Sequence, residues 1–142
     1  MARIKKSALG FSPFQQLFYS QEVLDKWSSL SEALSEDALL SYQLKEQVRR
    51  VLAFGNRCEY CQSKGRPESP ENMKTSYAVA FTEVFLMQRE KVEEKFFHVL
   101  KEMFTDEEIS ELIAFICFTT AQQYFGALME LKPENKEESI NE

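Results

Sequence analysis

The amino-acid sequence predicts an all-α fold, and three observations lead to that prediction. The chain has 142 residues, 44% hydrophobic and 28% charged, which is the size and composition of one globular domain. It contains only four Gly and four Pro, too few for the many tight turns of a β-sandwich or barrel. Apolar residues recur at three- and four-residue spacing through most of the chain, which is the period of amphipathic helices. We therefore expect one helical bundle.

The first elements follow from this spacing. Residues 1–20 are predicted to form an N-terminal arm, with a short helical turn that begins at Pro13. A helix follows, and its shared face carries Val23, Trp27, Leu30 and Leu34. A second helix is predicted from Ala38 to Phe54, with Gly55 as its C-terminal stop. Its second side is also partly apolar, so we expect neighbours to cover this helix on both sides.

The next segment is predicted to be a short helix that carries two cysteines. Asn56 followed by Glu59 resembles a capping box, which places Cys58 in the first turn of that helix. The helix is expected to fade near Lys64, and the residues from Pro67 onward are predicted to form a loop.

The C-terminal half is predicted to form the rest of the bundle. Residues 77–85 and 92–103 carry helical apolar patterns, and the charged residues 90–95 are expected to form a solvated helix face. Thr105 and Glu108 form the clearest capping box, with Phe104 and Ile109 as its hydrophobic staple. The last helix is expected to end before Pro133 and to bury Cys117 as a small core residue. We thus predict a single domain over residues 1–132 and a polar, mobile tail over residues 133–142.

Charge and hydropathy exclude several classes of partner. The net charge of −6 opposes binding to the phosphates of nucleic acid or to anionic lipid. The longest apolar run, Leu112 to Phe118, is far shorter than the roughly 20 residues of a membrane span. Arg3, Lys5 and Lys6 resemble the basic start of a signal peptide, but Ser12 and Pro13 interrupt the sequence before an apolar stretch of useful length follows. We therefore expect a soluble cytoplasmic protein with neither a nucleic acid nor a membrane as partner.

Cys58 and Cys61 are the residues whose spacing points to chemistry. Residues three apart on a helix lie on one face, so the two thiols are close enough for a reversible disulfide. Backbone N–H groups at the start of a helix stabilise a thiolate, and Arg57 and Lys64 add positive charge nearby. A thiolate there can attack a peroxide to give a sulfenic acid, which the second cysteine converts to a disulfide. Position alone favours Cys58 as the more acidic thiol, because it lies nearer the helix end.

Other interpretations of the same residues stay open at this point. A single C-x-x-C also occurs by chance or as half of a zinc site. Zinc usually takes four Cys or His ligands, whereas Cys117 lies on an apolar stripe and His98 lies in another helix. We therefore expect no metal and no organic cofactor, apart from a zinc shared between subunits. His98 is expected at an interface or a helix cap, and Glu46 would ordinarily be a solvated carboxylate.

One segment of the sequence resembles a known family. The run from Glu46 to Gly65, EQVRRVLAFGNRCEYCQSKG, is similar to the active-site segment of the carboxymuconolactone decarboxylase and alkylhydroperoxidase-D (AhpD-like) superfamily. The later run FTDEEISELIAFICFTTAQQYFGALMELKP resembles its closing helix, so the likeness covers most of the chain after about Ala38. The resemblance implies an AhpD-like bundle that forms homo-oligomers, trimers or hexamers. It also implies that Cys61 attacks the peroxide, Cys58 resolves the sulfenic acid and Glu46 assists proton transfer.

The sequence departs from that family at its proton relay. Gly65 stands where the family often has a His, and Tyr60 stands inside the C-x-x-C where another His is frequent. Lys64 is not expected to replace the missing His, since an ordinary Lys pKa of about 10.4 makes a poor proton acceptor at neutral pH.

The expected function is a thiol-dependent peroxidase or disulfide oxidoreductase that reduces organic hydroperoxides and is reset by a dithiol. The alternatives are a non-peroxidatic binding, scaffold or redox-sensing protein and, last, a lactone-acid decarboxylase.

Overall fold

The computed structural model describes residues 2–133, and within them it contains six α-helices and no strand. This confirms the predicted all-α class. The predicted polar tail, apart from Pro133, lies outside the described residues. A short 3-10 helix at Gln15–Leu17 precedes the six helices. They are α1 (Gln21–Ser35), α2 (Tyr42–Gly55), α3 (Glu59–Gln62), α4 (Met73–Gln88), α5 (Glu94–Lys101) and α6 (Asp106–Leu128).

The core forms where α2 packs between α4 and α6. Buried apolar side chains of these three helices, together with Leu100 of α5, form one continuous cluster. Burial of each such side chain stabilises the fold by roughly 1.5–3 kcal/mol. The members from the three helices are Leu44, Val48, Leu52, Ala78, Phe81, Leu112, Phe115 and Ile116. The cluster holds α2 rigidly, and α3 follows directly from its C-terminal end.

Side-chain caps fix where the helices begin. Ser20, Ser41 and Asn72 each accept a backbone N–H from the first turn of α1, α2 and α4. The predicted capping box of Thr105 and Glu108 at the start of α6 is present in full. α2 starts at Tyr42 rather than Ala38, so the predicted boundary is wrong by one turn.

A buried lysine explains this later start of α2. The Lys45 ammonium donates to the Glu36 carbonyl at 2.8 Å and lies 3.4 Å from the Glu111 carboxylate on α6. The same carboxylate accepts the Leu40 N–H at 2.8 Å. These bonds hold residues 36–40 in a non-helical connection, because Glu111 supplies the acceptor that a helix would otherwise provide.

One prediction about the surface is confirmed in part and another is wrong. The charged residues of 90–95 are exposed as predicted, but residues 90–93 connect α4 to α5, so only Glu94 and Lys95 lie on a helix. Cys117 is exposed rather than buried, because the buried positions of α6 fall at Leu112, Ile116 and Thr119 and leave the neighbouring Cys117 facing outward.

Within the described part of the chain, no helix is both long and apolar enough to cross a bilayer.

The capping box gives a test of the fold. Thr105→Ala removes the side-chain acceptor for the Glu108 N–H, so we expect the free energy of unfolding to fall by about 1 kcal/mol in urea titrations followed by circular dichroism. Ser110→Ala, at an exposed position of the same helix, is the control and should leave stability nearly unchanged. Equal stability of the two variants would contradict the assigned role of the cap.

Candidate active site

Cys58 and Cys61 are joined by a disulfide at the start of α3, with their Cα atoms 5.2 Å apart. Cys58 is the N-cap residue of this helix, and its Sγ accepts the Cys61 N–H at 3.3 Å. The prediction that Asn56 caps the helix, with Cys58 in its first turn, is therefore wrong. α3 is also shorter than predicted, because it ends at Gln62.

The two sulfur-bearing residues differ in access. Cys58 is fully buried, whereas Cys61 is partly exposed. Cys58 packs against Gly126 of α6, where an added Cβ would lie only 3.1 Å from the Cys58 Sγ. The missing side chain at Gly126 is what lets α3 approach α6 this closely.

Asn56 has a different role from the predicted cap, because it fixes the turn that leads into Cys58. Its amide nitrogen donates to the Gln123 side-chain oxygen at 2.8 Å, and its oxygen accepts from Arg89 at 2.7 Å. Gln123 in turn donates to the Arg49 carbonyl at 3.2 Å. Since both Asn56 and Gln123 are buried, the bonds join the turn to α2, α4 and α6 and leave it little freedom.

A cavity of about 250 Å³ opens over the disulfide from the side of Cys61. The N-terminal arm, α1, α2, α3 and α6 all contribute to its lining, and the lining includes Cys61 but not Cys58. One wall is aromatic, formed by Phe14, Phe18 and Trp27, and the Phe18 and Trp27 ring centres are 5.5 Å apart. The lining also includes the cations Arg49 and Lys64. A reagent from solution therefore reaches the pair at Cys61.

Glu46 is linked to the disulfide segment by hydrogen bonds through Arg49. Its carboxylate accepts from Arg49 at 2.6 and 2.9 Å and from Arg50 at 3.1 Å, and Arg49 also lies 3.4 Å from the Cys61 carbonyl. Burial acts to raise the pKa of Glu46, but the hydrogen bonds and charges of the two arginines outweigh it and hold the pKa below the ordinary value. Glu46 is not among the described residues that line the cavity. Its assistance in proton transfer stays a prediction.

Lys64 lies on the cavity side of Cys61. Its ammonium is 4.8 Å from the centre of the Tyr60 ring, a distance typical of a cation–π contact. Burial of the ammonium, together with the positive charge of Arg49, lowers its pKa, while the Glu46 carboxylate opposes this shift. The pKa of Lys64 is therefore lower than the ordinary value that was expected from the sequence.

The structure gives a physical reason for Gly65 where the family often has a His. Gly65 has a φ of 135°, a backbone conformation that side chains rarely adopt. A Cβ there would also lie 2.9 Å from the centre of the Arg50 guanidinium. A His at this position would require both a different backbone turn and a displaced Arg50. The difference from the family at position 65 therefore involves the backbone and Arg50 as well as the missing side chain.

The cavity contains residues that the sequence analysis did not select. Trp27 and Gln122 line it, and the Trp27 N–H donates to the Gln122 side-chain oxygen at 3.3 Å. No local motif marks them, because they come from helices that are distant in sequence. His98 lies exposed on α5, 4.0 Å from Glu94. In residues 2–133, no group of three or more His, Cys, Asp or Glu side chains is arranged to hold a metal ion.

Comparisons with known proteins show the fold. No protein-family model matches the chain, and no curated protein sequence matches it. Among solved structures, it is similar to a crystal structure of an Agrobacterium tumefaciens protein of unknown function, which is described provisionally as the antioxidant defence protein AhpD. The TM-score is 0.72 at 14% sequence identity, and the match covers 96% of this chain and 100% of that chain. The AhpD-like fold implied by the resemblance is therefore present.

The close approach at Gly126 gives a second prediction. A Gly→Ala change inside a helix normally stabilises a protein by roughly 0.5–1 kcal/mol. We expect Gly126→Ala to destabilise the oxidised protein instead, because the buried hydrogen bonds of Asn56 fix the turn before Cys58 and prevent its sulfur from moving away. Urea unfolding of the oxidised protein measures the change.

The control for this variant is Ala121→Gly, at an exposed position of the same helix. The loss in its free energy of unfolding measures the helix propensity difference between Ala and Gly alone. The steric effect at position 126 can then be separated from that difference. A rise of about 1 kcal/mol in the free energy of unfolding of Gly126→Ala would show that the contact with Cys58 does not constrain the site.

The lowered pKa of Glu46 predicts how stability depends on pH. A carboxyl whose folded pKa is depressed contributes stability above its unfolded pKa of about 4.3 and loses it as pH falls through the folded pKa. We expect Glu46→Gln to be less stable than the parent at pH 7, with a deficit that shrinks in urea titrations carried down to about pH 3. Glu22→Gln, in an exposed pair with Lys26, is the control and should show little deficit at any pH. A Glu46→Gln deficit that stays constant with pH would contradict the ion-pair assignment.

Proposed function

We propose that this protein reduces organic hydroperoxides through a dithiol–disulfide cycle of Cys61 and Cys58. The observation that carries the proposal is the asymmetry of the pair: the two cysteines are close enough to be disulfide-bonded, and only Cys61 lines the cavity. The similarity to the Agrobacterium tumefaciens structure described provisionally as AhpD agrees with it at the level of the fold.

The cycle has two oxidative steps. In the first, the Cys61 thiolate attacks the terminal peroxide oxygen, the O–O bond breaks, and the alkoxide takes up a proton to leave as an alcohol. In the second, the Cys58 thiol loses its proton and its sulfur attacks the Cys61 sulfenic acid. The S–O bond breaks, and the departing hydroxide takes up a proton to leave as water. Two thiols and one hydroperoxide thus yield a disulfide, an alcohol and water. The peroxide is reduced and the thiol pair is oxidised by two electrons.

Access decides which cysteine attacks. The position of Cys58 at the N-cap favours negative charge on its sulfur, because the Cys61 N–H points at it. A peroxide in the cavity nevertheless meets Cys61, since Cys58 is buried against α6. We therefore assign the attack to Cys61 and the resolving step to Cys58, as the family resemblance implies.

The same geometry defines how a dithiol resets the enzyme. A reductant that enters the cavity attacks the Cys61 sulfur, and Cys58 departs as a thiolate. The Cys61 N–H stabilises the departing charge, which favours the reductive step because a stabilised thiolate leaves faster. We propose a dithiol as the reducing partner, since a second thiol on the same molecule releases it from the mixed disulfide.

The composition of the cavity supports an organic substrate. Phe14, Phe18 and Trp27 offer an apolar wall to the carbon skeleton, while the peroxide group faces Cys61 and the cations. A volume of about 250 Å³ suits a small organic hydroperoxide.

Self-association, which the resemblance implies, is also a proposal. A surface groove of about 350 Å³ between α4 and α5 has a mainly apolar lining that includes Tyr77, Ala80, Val84 and Val99. Such a groove is chemically suited to contact between copies of the chain. The trimer or hexamer itself is an expectation of the resemblance.

A second candidate function has a specific observation in its favour. Glu46 is engaged by two arginines, and Gly65 replaces the His with which the family forms its proton relay. A protein with a weak relay can still exchange disulfides or sense oxidants through the Cys58–Cys61 pair. In that case, the pair exchanges with dithiols but reacts with hydroperoxide no faster than an ordinary thiol.

Reaction with one equivalent of an organic hydroperoxide separates the two functions. All variants should carry Cys117→Ser, because that exposed thiol would otherwise react on its own. We expect intact mass to show rapid loss of two hydrogens in the parent and a trapped Cys61 sulfenic acid in Cys58→Ser. Cys61→Ser should react slowly, since its remaining thiol is buried.

Two results would contradict the proposal. Oxidation of the parent no faster than that of a free cysteine peptide would leave the redox-sensing candidate. A sulfenic acid that forms in Cys61→Ser but not in Cys58→Ser would reverse the two assigned roles.

A further inference from the structure

We propose that Lys64 is the proton donor of this site: its ammonium pairs with the Cys61 thiolate and protonates the alkoxide that leaves the peroxide. This inference rests on the proposed peroxidase function and supplies an acid in the cavity itself, where Gly65 stands in place of the family His and Glu46 is not part of the described lining.

Lys64 has the required place in the fold. It follows Cys61 by three residues, and the Lys64 N–H donates to the Cys61 carbonyl at 3.3 Å. Both side chains line the same cavity of about 250 Å³. Although the residue as a whole is exposed, the Tyr60 ring lies 4.8 Å from its ammonium and limits where that group can move. A peroxide held against Cys61 therefore lies within the space that the ammonium borders.

The other charged groups around the cavity leave this role to Lys64. From α2, Arg49 lines the cavity and donates to Glu46, which is not part of the described lining. From α1, Glu32 is the carboxylate in the lining, and Tyr60 of α3 contributes a phenol. The arm and α6 add only uncharged side chains to the described lining. Within residues 2–133, no carboxylate lies at ion-pair distance from Lys64. Its ammonium lies against the Tyr60 ring and feels the charge of Glu46 from a greater distance.

The electrostatics favour proton release from Lys64. Burial and the charge of Arg49 lower the pKa of Lys64, and the Glu46 carboxylate limits that shift. A general acid is most effective when its pKa lies near the working pH, so a lowered pKa moves a lysine towards that optimum. Proton donation of this kind typically contributes 10²–10⁴-fold to a rate.

The protons balance over the complete cycle. The thiolate of Cys61 and the ammonium of Lys64 react with the hydroperoxide to give a sulfenic acid, an alcohol and a neutral Lys64 amine. The amine then accepts the proton of the Cys58 thiol and passes it to the hydroxide that leaves as water. When a dithiol reduces the disulfide, one of its protons returns to Cys58 and the other to Lys64. The thiolate–ammonium pair is thereby restored.

The decisive experiment compares two oxidants whose leaving groups differ in basicity. tert-Butyl hydroperoxide leaves as a strongly basic alkoxide that needs a proton, whereas peracetic acid leaves as a stable carboxylate. The full-length Cys117→Ser protein is the parent, and Lys64→Gln and Lys64→Arg are introduced into it. Lys132→Gln is the control. Lys132 pairs with Glu59 of α3 and is not in the described cavity lining.

We expect both Lys64 variants to reduce tert-butyl hydroperoxide about 100-fold more slowly than the parent. Lys64→Arg should retain most of its rate with peracetic acid, because the guanidinium keeps the charge that stabilises the thiolate but gives up no proton. Lys132→Gln should behave as the parent with both oxidants. Equal losses with the two oxidants in Lys64→Arg, or no loss in either variant, would overturn the assignment of Lys64 as the donor.

Alkylation of reduced Cys61 by iodoacetamide, measured against pH in Cys58→Ser, provides a readout that does not need peroxidase activity. We expect Lys64→Gln to shift the midpoint of the profile upward and Lys64→Arg to leave it nearly unchanged. If the parent reduces neither oxidant, the proposed function is wrong and proton donation to an alkoxide falls with it. Identical profiles in the parent and Lys64→Gln would separately overturn the ionic pairing with Cys61.

Discussion

The geometry of the candidate site depends on one contact, the packing of the Cys58 sulfur against the bare backbone of Gly126. This contact buries one cysteine completely and thereby turns the other towards the cavity. An N–H bond from Cys61 to the buried sulfur adds the N-cap that begins α3. Two chemically identical side chains thus differ in access through position alone. A larger residue at position 126 would collide with the buried sulfur.

The rest of the bundle holds this contact in place. The buried pair of Asn56 and Gln123 ties the turn before the cysteines to α6, and Arg89 ties it to the end of α4. Both buried amides are fully hydrogen-bonded, which makes the arrangement specific, because any other packing would leave polar groups unsatisfied. The apolar core of α2, α4 and α6 supplies stability. The polar network determines where the turn lies.

Local patterns in the sequence predicted the fold class, the start of α6 and the two cysteines, because helical spacing, capping boxes and C-x-x-C are local features. They misplaced the beginning of α2, which depends on a carboxylate 71 residues away at Glu111. They did not predict that Trp27 lines the cavity or that Cys58 caps α3. They also assumed an ordinary pKa for Lys64. Each of these depends on the neighbours that folding supplies, and no single helix carries that information.

The N-terminal arm has a consequence for how such a site can diversify. Phe14 and Phe18 of the arm form a cavity wall, and Arg3 ties the start of the chain to Glu130 beyond the end of α6. The groups proposed to react all lie between Glu46 and Lys64. The aromatic wall of the arm and the groups proposed to react therefore lie on separate stretches of the polypeptide. A change in the arm would reshape the cavity without altering either cysteine.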